Sequence, residues 1–168
     1  MCCACFAAQQ SWWLPHPLQG DTLLGEAGND VLHGGCKLAG ILIEAATSGG
    51  HSQVVIGIGI NIRPRSAEGL STAPAALTEL WPQATAGQAL LRLMPPLVRA
   101  LHDFAQHGFA PLQTRYAARD VLMDREVQTS DRAQGRCLGV SANGSLRLLS
   151  GGQEITVNSS EVSVRPRV

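Results

Sequence analysis

The residues that could do chemistry concentrate between Lys37 and Ile62, in the run KLAGILIEAATSGGHSQVVIGIGINI. Lys37 is the only lysine of the chain; the other members of its 13 Lys plus Arg residues are arginines. It opens an apolar segment that contains Gly40. A second apolar segment carries Gly57 and Gly59 and ends on an amide, Asn61. An ammonium group is a compact charge suited to carboxylate or phosphate. Strand glycines allow a ligand or a second backbone to come close, and an amide both donates and accepts hydrogen bonds. Shortly before the lysine, Asn29 and Asp30 add a second amide and a carboxylate. Each feature has a plainer alternative: a solvated lysine, a turn at Asn29-Asp30, and glycines required by a bulge or tight sheet packing.

The elements needed to position these residues are legible from periodicity. Leu38 to Ala46 and Val54 to Ile62 read as two strands joined at Ser48-Gly49-Gly50. In the second strand, alternation puts Gly57 and Gly59 on one face and Ile56, Ile58, Ile60 and Ile62 on the other. G-x-G-x-N is not the dinucleotide fingerprint, because no third glycine opens a helix after it. Val31-Leu32 reads as a short strand feeding a turn at His33-Gly34-Gly35, and Leu23-Leu24 as a further short strand. Residues 63–77 read as a loop. Ala86 to Phe104 has the spacing of an amphipathic helix, and Pro95-Pro96 predicts a kink or two abutting helices. Gly108 ends that segment, and Pro111 suits the start of a short helix from Leu112 to Val121. From Arg125 onward the chain reads as four or five short strands, with hairpin turns at Asn143-Gly144 and Gly151-Gly152.

Composition narrows the function classes. Apolar residues are 45% and charged residues 15% of the chain, enough for a substantial core. Formal net charge is zero, which gives no support to broad attraction to nucleic acid or an anionic membrane. No helix-turn-helix is visible, so DNA binding is not expected. No apolar run approaches the length of a membrane span. The five cysteines have no zinc-site spacing and read as free thiols of a cytoplasmic protein.

In this order and spacing, Asn29-Asp30-Val31-Leu32, Lys37-Leu38-Ala39-Gly40-Ile41-Leu42-Ile43-Glu44 and Gly57-Ile58-Gly59-Ile60-Asn61 resemble the bacterial biotin–protein ligase family. Gly151 to Arg165, ending Glu161-Val162-Ser163-Val164-Arg165, resembles that family's small C-terminal domain. The resemblance covers roughly residues 29–168. It implies an α/β (α+β) architecture: a partial biotin/lipoate ligase-like catalytic domain with mixed sheet and helices over 29–122, then a small SH3-like β-barrel over 123–168. Residues 1–28 stay unassigned.

The resemblance further implies ATP-dependent activation of biotin to biotinyl-adenylate and transfer to a lysine of a biotin carboxyl carrier protein, a subunit of acetyl-CoA carboxylase. Lys37 would be catalytic. Lys37, Gly40, Gly57, Gly59, Asn61, Asn29 and Asp30 would bind biotin or the adenylate. Glu161 and Arg165 would touch carrier or nucleotide. ATP, biotin and Mg2+ would be required, with no metal site built by the protein itself, and a homodimer paired at the sheet edge is compatible with this picture. Two departures stand out. Glu26-Ala27-Gly28 occupies the place of the family's Lys-Trp-Pro, and the arginine-rich adenylate-binding loop G-R-G-R-x-G-R is absent. The resulting expectation is a chain that begins partway through the catalytic domain, with activity impaired. The alternatives are a non-catalytic carrier-binding fragment and a lipoate-type ligase.

Overall fold

In the computed structural model the described residues are 22–24, 29–49, 51–129, 132–157 and 164–166. Among these residues the elements are two antiparallel sheets, three α-helices and one 3-10 turn. The first sheet takes its strands in sequence order: β1 (Thr22–Leu24), β2 (Asp30–His33), β3 (Cys36–Ser48) and β4 (His51–Ile60). Gly34 and Gly35, both at positive φ, join His33 to Cys36 in a two-residue hairpin turn. That backbone twist matches the flanking strands and favours glycine.

The β3–β4 ladder runs without interruption from Ala39↔Ile60 to Ser48↔His51. Its inner face carries Ala39, Ile41 and Ile43 opposite Ile60, Ile58 and Ile56. This face joins the main core with Val31, Leu38, Leu77, Ala89, Leu93, Leu97, Ala100, Phe109, Leu112 and Tyr116. The expected alternation in β4 is therefore observed: the isoleucines face the core and the glycines face out.

Three helices follow the sheet. The first, α1 (Leu77–Leu80), is a single turn in which Glu79 Oε2 accepts from the Ala76 amide. It begins inside the stretch expected to be loop. Its hydrogen bonds to the end of β4, Leu77 N–H to Asn61 O and Thr78 N–H to Ile62 O, supply a reason that local propensity does not contain. The second helix, α2 (Ala86–His107), is continuous through Pro95 and Pro96, so the expectation of two abutting helices is corrected. The two prolines remove the amides that would reach the carbonyls of Leu91 and Arg92. Both of those residues are exposed, which lets water satisfy the freed carbonyls. Thr85 caps α2 in a reciprocal box with Gln88. Gly108, at φ +67°, ends it.

A 3-10 turn at Ala110–Leu112 leads into α3 (Gln113–Ala117), which ends four residues before the expected end at Val121. The difference is the turn from Asp120 onward, where Asp120 Oδ1 accepts from the Leu122 amide and competes with helix continuation.

The second sheet has the order β8 (Gln153–Val157), β7 (Leu146–Ser150), β6 (Gln134–Val140), β5 (Glu126–Thr129) and β9 (Val164–Pro166). Val127, Cys137, Leu146, Leu148 and Leu122 form its own core. Gly151-Gly152 makes a two-residue turn between Ser150 and Gln153. The Asn143-Gly144 turn is longer than a two-residue hairpin. Ser141 spans it, donating its amide to Ser145 O and accepting the Ser145 amide on its hydroxyl. This sheet is consistent with a small SH3-like domain, and the whole has the expected mixed α/β character. No helix among the described residues is long and apolar enough to cross a membrane.

Candidate functional site

The outer face of the first sheet gathers most of the residues singled out in the sequence. Asp30 lies opposite Gly40, Gly40 opposite Gly59, and Leu42 opposite Gly57. Cross-strand partners share a face, so Asp30, Gly40, Gly59, Leu42 and Gly57 form one continuous patch.

Strict alternation along β3 would put Lys37 on the other side, with Ala39 and Ile41 in the core. The register shift changes that. Val31 pairs with Ala39, but the next residue, Leu32, pairs with Lys37, so Leu38 is an extra residue. Such a bulge advances the strand by one residue and switches the side its neighbours face. Leu38 and Ala39 are both buried, and Lys37 emerges on the glycine face. There its Nζ lies 2.7 Å from Asp30 Oδ1, with the two side chains 38% and 23% exposed. The lysine stem passes directly over Gly40. A Cβ at position 40 would stand 3.3 Å from Lys37 Cε and 3.4 Å from Nζ. Within the chain, the side chain nearest Gly40 is thus the lysine itself.

Gly57 and Gly59 have a different reason for being glycine. Neither has a positive φ, and the ladder on either side is regular. A Cβ at 57 would meet only Leu42, no closer than 3.7 Å, and one at 59 only Gly40 O at 4.0 Å. Bulge and tight packing, the two plainer explanations, therefore do not account for Gly57 and Gly59. Gly135 in the second sheet provides the contrast. A Cβ there would collide with the Leu149 backbone, with the carbonyl carbon at 2.8 Å. That glycine is required by packing, whereas Gly57 and Gly59 keep an exposed floor bare. Leu42, 63% exposed, stands on the same floor as an apolar wall. Sequence reading passed over Leu42, although its even-numbered spacing from Gly40 carried the signal.

Asn61 sits where β4 leaves the sheet. Its Nδ2 donates to the Lys37 carbonyl at 2.8 Å. Asn29 brings its backbone carbonyl to the Ile41 amide at 2.8 Å. Arg165 belongs to β9 of the second sheet, opposite Gln128, and so is not among the residues that the first sheet collects. Glu161 lies outside the described residues. No group of three or more metal-ligating side chains occurs among the described residues. A separate cleft of about 400 Å3, bordered by Asp103, His107, Gly108 and Arg115, shares no residue with the glycine face. Cys137 is buried, and burial pushes its thiol up to about 11; it is no nucleophile at neutral pH.

The arrangement is a flat slot, bare along Gly59 and Gly57, apolar at Leu42, with a lysine–carboxylate pair at one end. It can accept a thin apolar ring system against the strands and an anionic group at Lys37.

No protein-family model matches the chain. Over 106 residues it is 33% identical to a biotin–[acetyl-CoA-carboxylase] ligase of Paracoccus denitrificans, a match covering 59% of this chain. The chain thus spans 44% of that curated relative's length. Among solved structures, the biotin protein ligase of Aquifex aeolicus in complex with biotin and ATP superimposes with a TM-score of 0.80 at 21% identity, covering 98% of this chain and 71% of that one. The fold is that of the biotin protein ligases. A biotin protein ligase-like protein of unknown function from a Silicibacter species shares the fold, with a TM-score of 0.72 at 15% identity over 92% of this chain and 69% of its own. The biotin protein ligase fold here includes both sheets, since the Aquifex superposition spans nearly the whole chain.

Proposed function

We propose that the chain acts as a biotin–[biotin carboxyl carrier protein] ligase, binding biotin and ATP on the outer face of β3 and β4. The observation that carries this reading is the pair Gly57 and Gly59, bare without a packing reason, in line with Lys37. The 33% identity to a biotin–[acetyl-CoA-carboxylase] ligase supports biotin as the acid that is activated.

In this reading the ring system of biotin lies on Gly57 and Gly59 against Leu42, and its carboxylate points to Lys37. A biotin carboxylate oxygen attacks the α-phosphorus of ATP, and the bond to pyrophosphate breaks. The carboxylate is already ionised at neutral pH, so this step needs no general base. The Lys37 ammonium offsets repulsion between the two anions and stabilises the charge that builds on the phosphoryl oxygens. Asp30 keeps the ammonium aimed along the face until the substrates arrive. In the second step a carrier lysine amine attacks the acyl carbon and AMP leaves.

Mg2+ fits this site only as the companion of ATP. Beside Lys37 the site offers the carboxylate of Asp30, and Mg2+ is commonly held by one or two carboxylates plus substrate phosphates. The reading also takes 29–122 as the catalytic part, 123–168 as a small SH3-like part, Glu161 and Arg165 as contacts to carrier or nucleotide, and the cytoplasm as the location. Pairing of two chains along β4, an edge strand among the described residues, is the form a homodimer would take.

The test is formation of labelled biotinyl-adenylate from biotin and ATP by the purified chain, beside Lys37→Ala. Adenylate made by the wild type and lost at least about a hundredfold in the variant supports the assignment. Biotin binding without adenylate would instead favour a non-catalytic carrier-binding module. Absence of both would reject the reading.

A further inference from the structure

Lys37 is fastened through its backbone as well as its side chain. Its N–H donates to Ala73 O at 2.7 Å, and its carbonyl accepts from Ala75 N–H at 3.0 Å and from Asn61 Nδ2 at 2.8 Å. A carbonyl has two acceptor sites, so this one is filled. The two backbone bonds form a parallel bridge between Lys37 and Pro74. The flanking alanines provide the donor and acceptor, so the missing amide of Pro74 is not called upon. Residues 62–72 therefore leave the sheet at one partner of Lys37 and return at the other.

Asn61 is the hub of this arrangement. Its own N–H goes to Leu38 O at 2.9 Å, on the bulged residue, and its carbonyl accepts from Leu77 N–H at 2.7 Å. With its backbone held on both sides, Asn61 directs its side-chain amide to the Lys37 carbonyl. The bulge at Leu38 decides which face Lys37 occupies. Asn61 binds the residues on both sides of that decision, Leu38 through its main chain and Lys37 through its side chain.

We propose that Asn61 is a positioning residue for Lys37. Its amide locks the bulged strand end in the phase that carries Nζ across Gly40 to Asp30. A strict ladder there would direct the lysine into the core face, where a charge is not tolerated without a partner. Without the amide, the Lys37 carbonyl keeps only the Ala75 bond, and the strand end loses the one side-chain bond that holds its phase. The functional meaning of this assignment rests on Lys37 being the substrate-facing charge, but the geometry it describes does not depend on any substrate.

The single lysine makes a direct test practical. Isotope-labelled lysine gives one side-chain NMR signal set, from Lys37 alone. Asp30→Asn provides the reference position for that set without the ion pair. Asn61→Asp has the same shape but presents no amide donor to the carbonyl, and Asn61→Ser is too short to reach it. Both are expected to move the Lys37 Cε and Nζ signals most of the way to the Asp30→Asn position, while backbone signals of β3 and β4 persist. Lys37 signals that stay in the wild-type position in both variants, although Asp30→Asn displaces them, would overturn the proposal. In the wild-type chain, a scalar coupling across the hydrogen bond between the Asn61 side-chain nitrogen and the Lys37 carbonyl carbon is expected, and its absence would also overturn it. None of these readouts uses biotin or ATP. A chain that makes no adenylate can therefore still confirm the positioning role, and an active chain can still refute it.

Discussion

Three strand glycines of this chain look alike in sequence and differ in what they do. Gly135 is crowded by the backbone of Leu149 and Ser150, whereas a Cβ at Gly57 or Gly59 would make only ordinary contacts. Replacement by alanine should separate the two classes. Gly135→Ala forces strands β6 and β7 apart and is expected to cost about 1–3 kcal/mol, the usual range for overpacking. Gly57→Ala and Gly59→Ala remove unfolded-state freedom at positions whose backbone alanine can adopt. They are expected to leave the melting temperature unchanged or raise stability by about 0.5–1 kcal/mol. The same two methyl groups would occupy the slot, so biotin affinity should drop at least about tenfold, by analogy with the cost of overfilling a packed site. Thermal melts together with biotin titration check both halves. Loss of stability in Gly57→Ala would mean that packing holds that glycine after all. The glycine face could be read from the sequence because alternation is a property of every strand. The side on which Lys37 falls could not, because a bulge is set by pairing with β2 and by hydrogen bonds from residues 61 and 73–75.

At the scale of elements, the sequence reported best on those that settle their own geometry. The β3–β4 hairpin has alternation, a Gly-rich turn and enough length, and it was legible almost to its ends. The helix α2 had its apolar stripe and its Gly108 stop, whereas its Thr85 cap went unread. Its continuity through Pro95-Pro96 was not legible, since it depends on solvent reaching two exposed carbonyls. The single turn α1 was invisible because its anchors are at Asn61 and Ile62. The link from α3 to the second sheet carries a pH-dependent element of its own. Asp120 sits there with its carboxylate accepting from the Leu122 amide, and burial pushes its acidity below normal, raising its pKa. A carboxyl whose pKa is higher folded than unfolded binds its proton more tightly in the folded state. Its contribution is then most favourable below the ordinary value of 3.8 and is lost as pH rises through the raised one. Asp120→Asn keeps an oxygen for the Leu122 amide and removes the charge. It should melt at a higher temperature than the wild type at pH 7, and the advantage should shrink as pH is lowered toward 3.8. Melting curves across that range check the sign, and a variant that is less stable at pH 7 would show that the link needs its charge.

On the scale of the whole molecule, the described residues form two core clusters, and Val140 links them. Val140, the last residue of β6, is buried in the main cluster with Phe109, Leu112 and Tyr116, although its strand belongs to the second sheet. Its carbonyl accepts from Gln113 Nε2 at 2.6 Å, so α3 grips the end of β6 by an apolar contact and a hydrogen bond together. This arrangement predicts coupled stability. Val140→Ala removes two methyl groups from a site that is 4% exposed and should cost about 2 kcal/mol. The loss should register on both sides of the junction. Amide exchange is expected to speed up in β6 and β7 and also at Ile41 and Leu77, which belong to the first sheet and its covering helix. The comparison variant is Leu148→Ala, a fully buried residue of the second core without contact to the first cluster. Its effect should be largest within β5 to β8. If Val140→Ala loosened only the second sheet, the junction would be a surface contact between independent units. If both sheets respond, the small sheet acts as a buttress for α3, and through Leu112 and Tyr116 for the core that backs the glycine face. Damage in the C-terminal strands would then reach Lys37 without any direct contact between them.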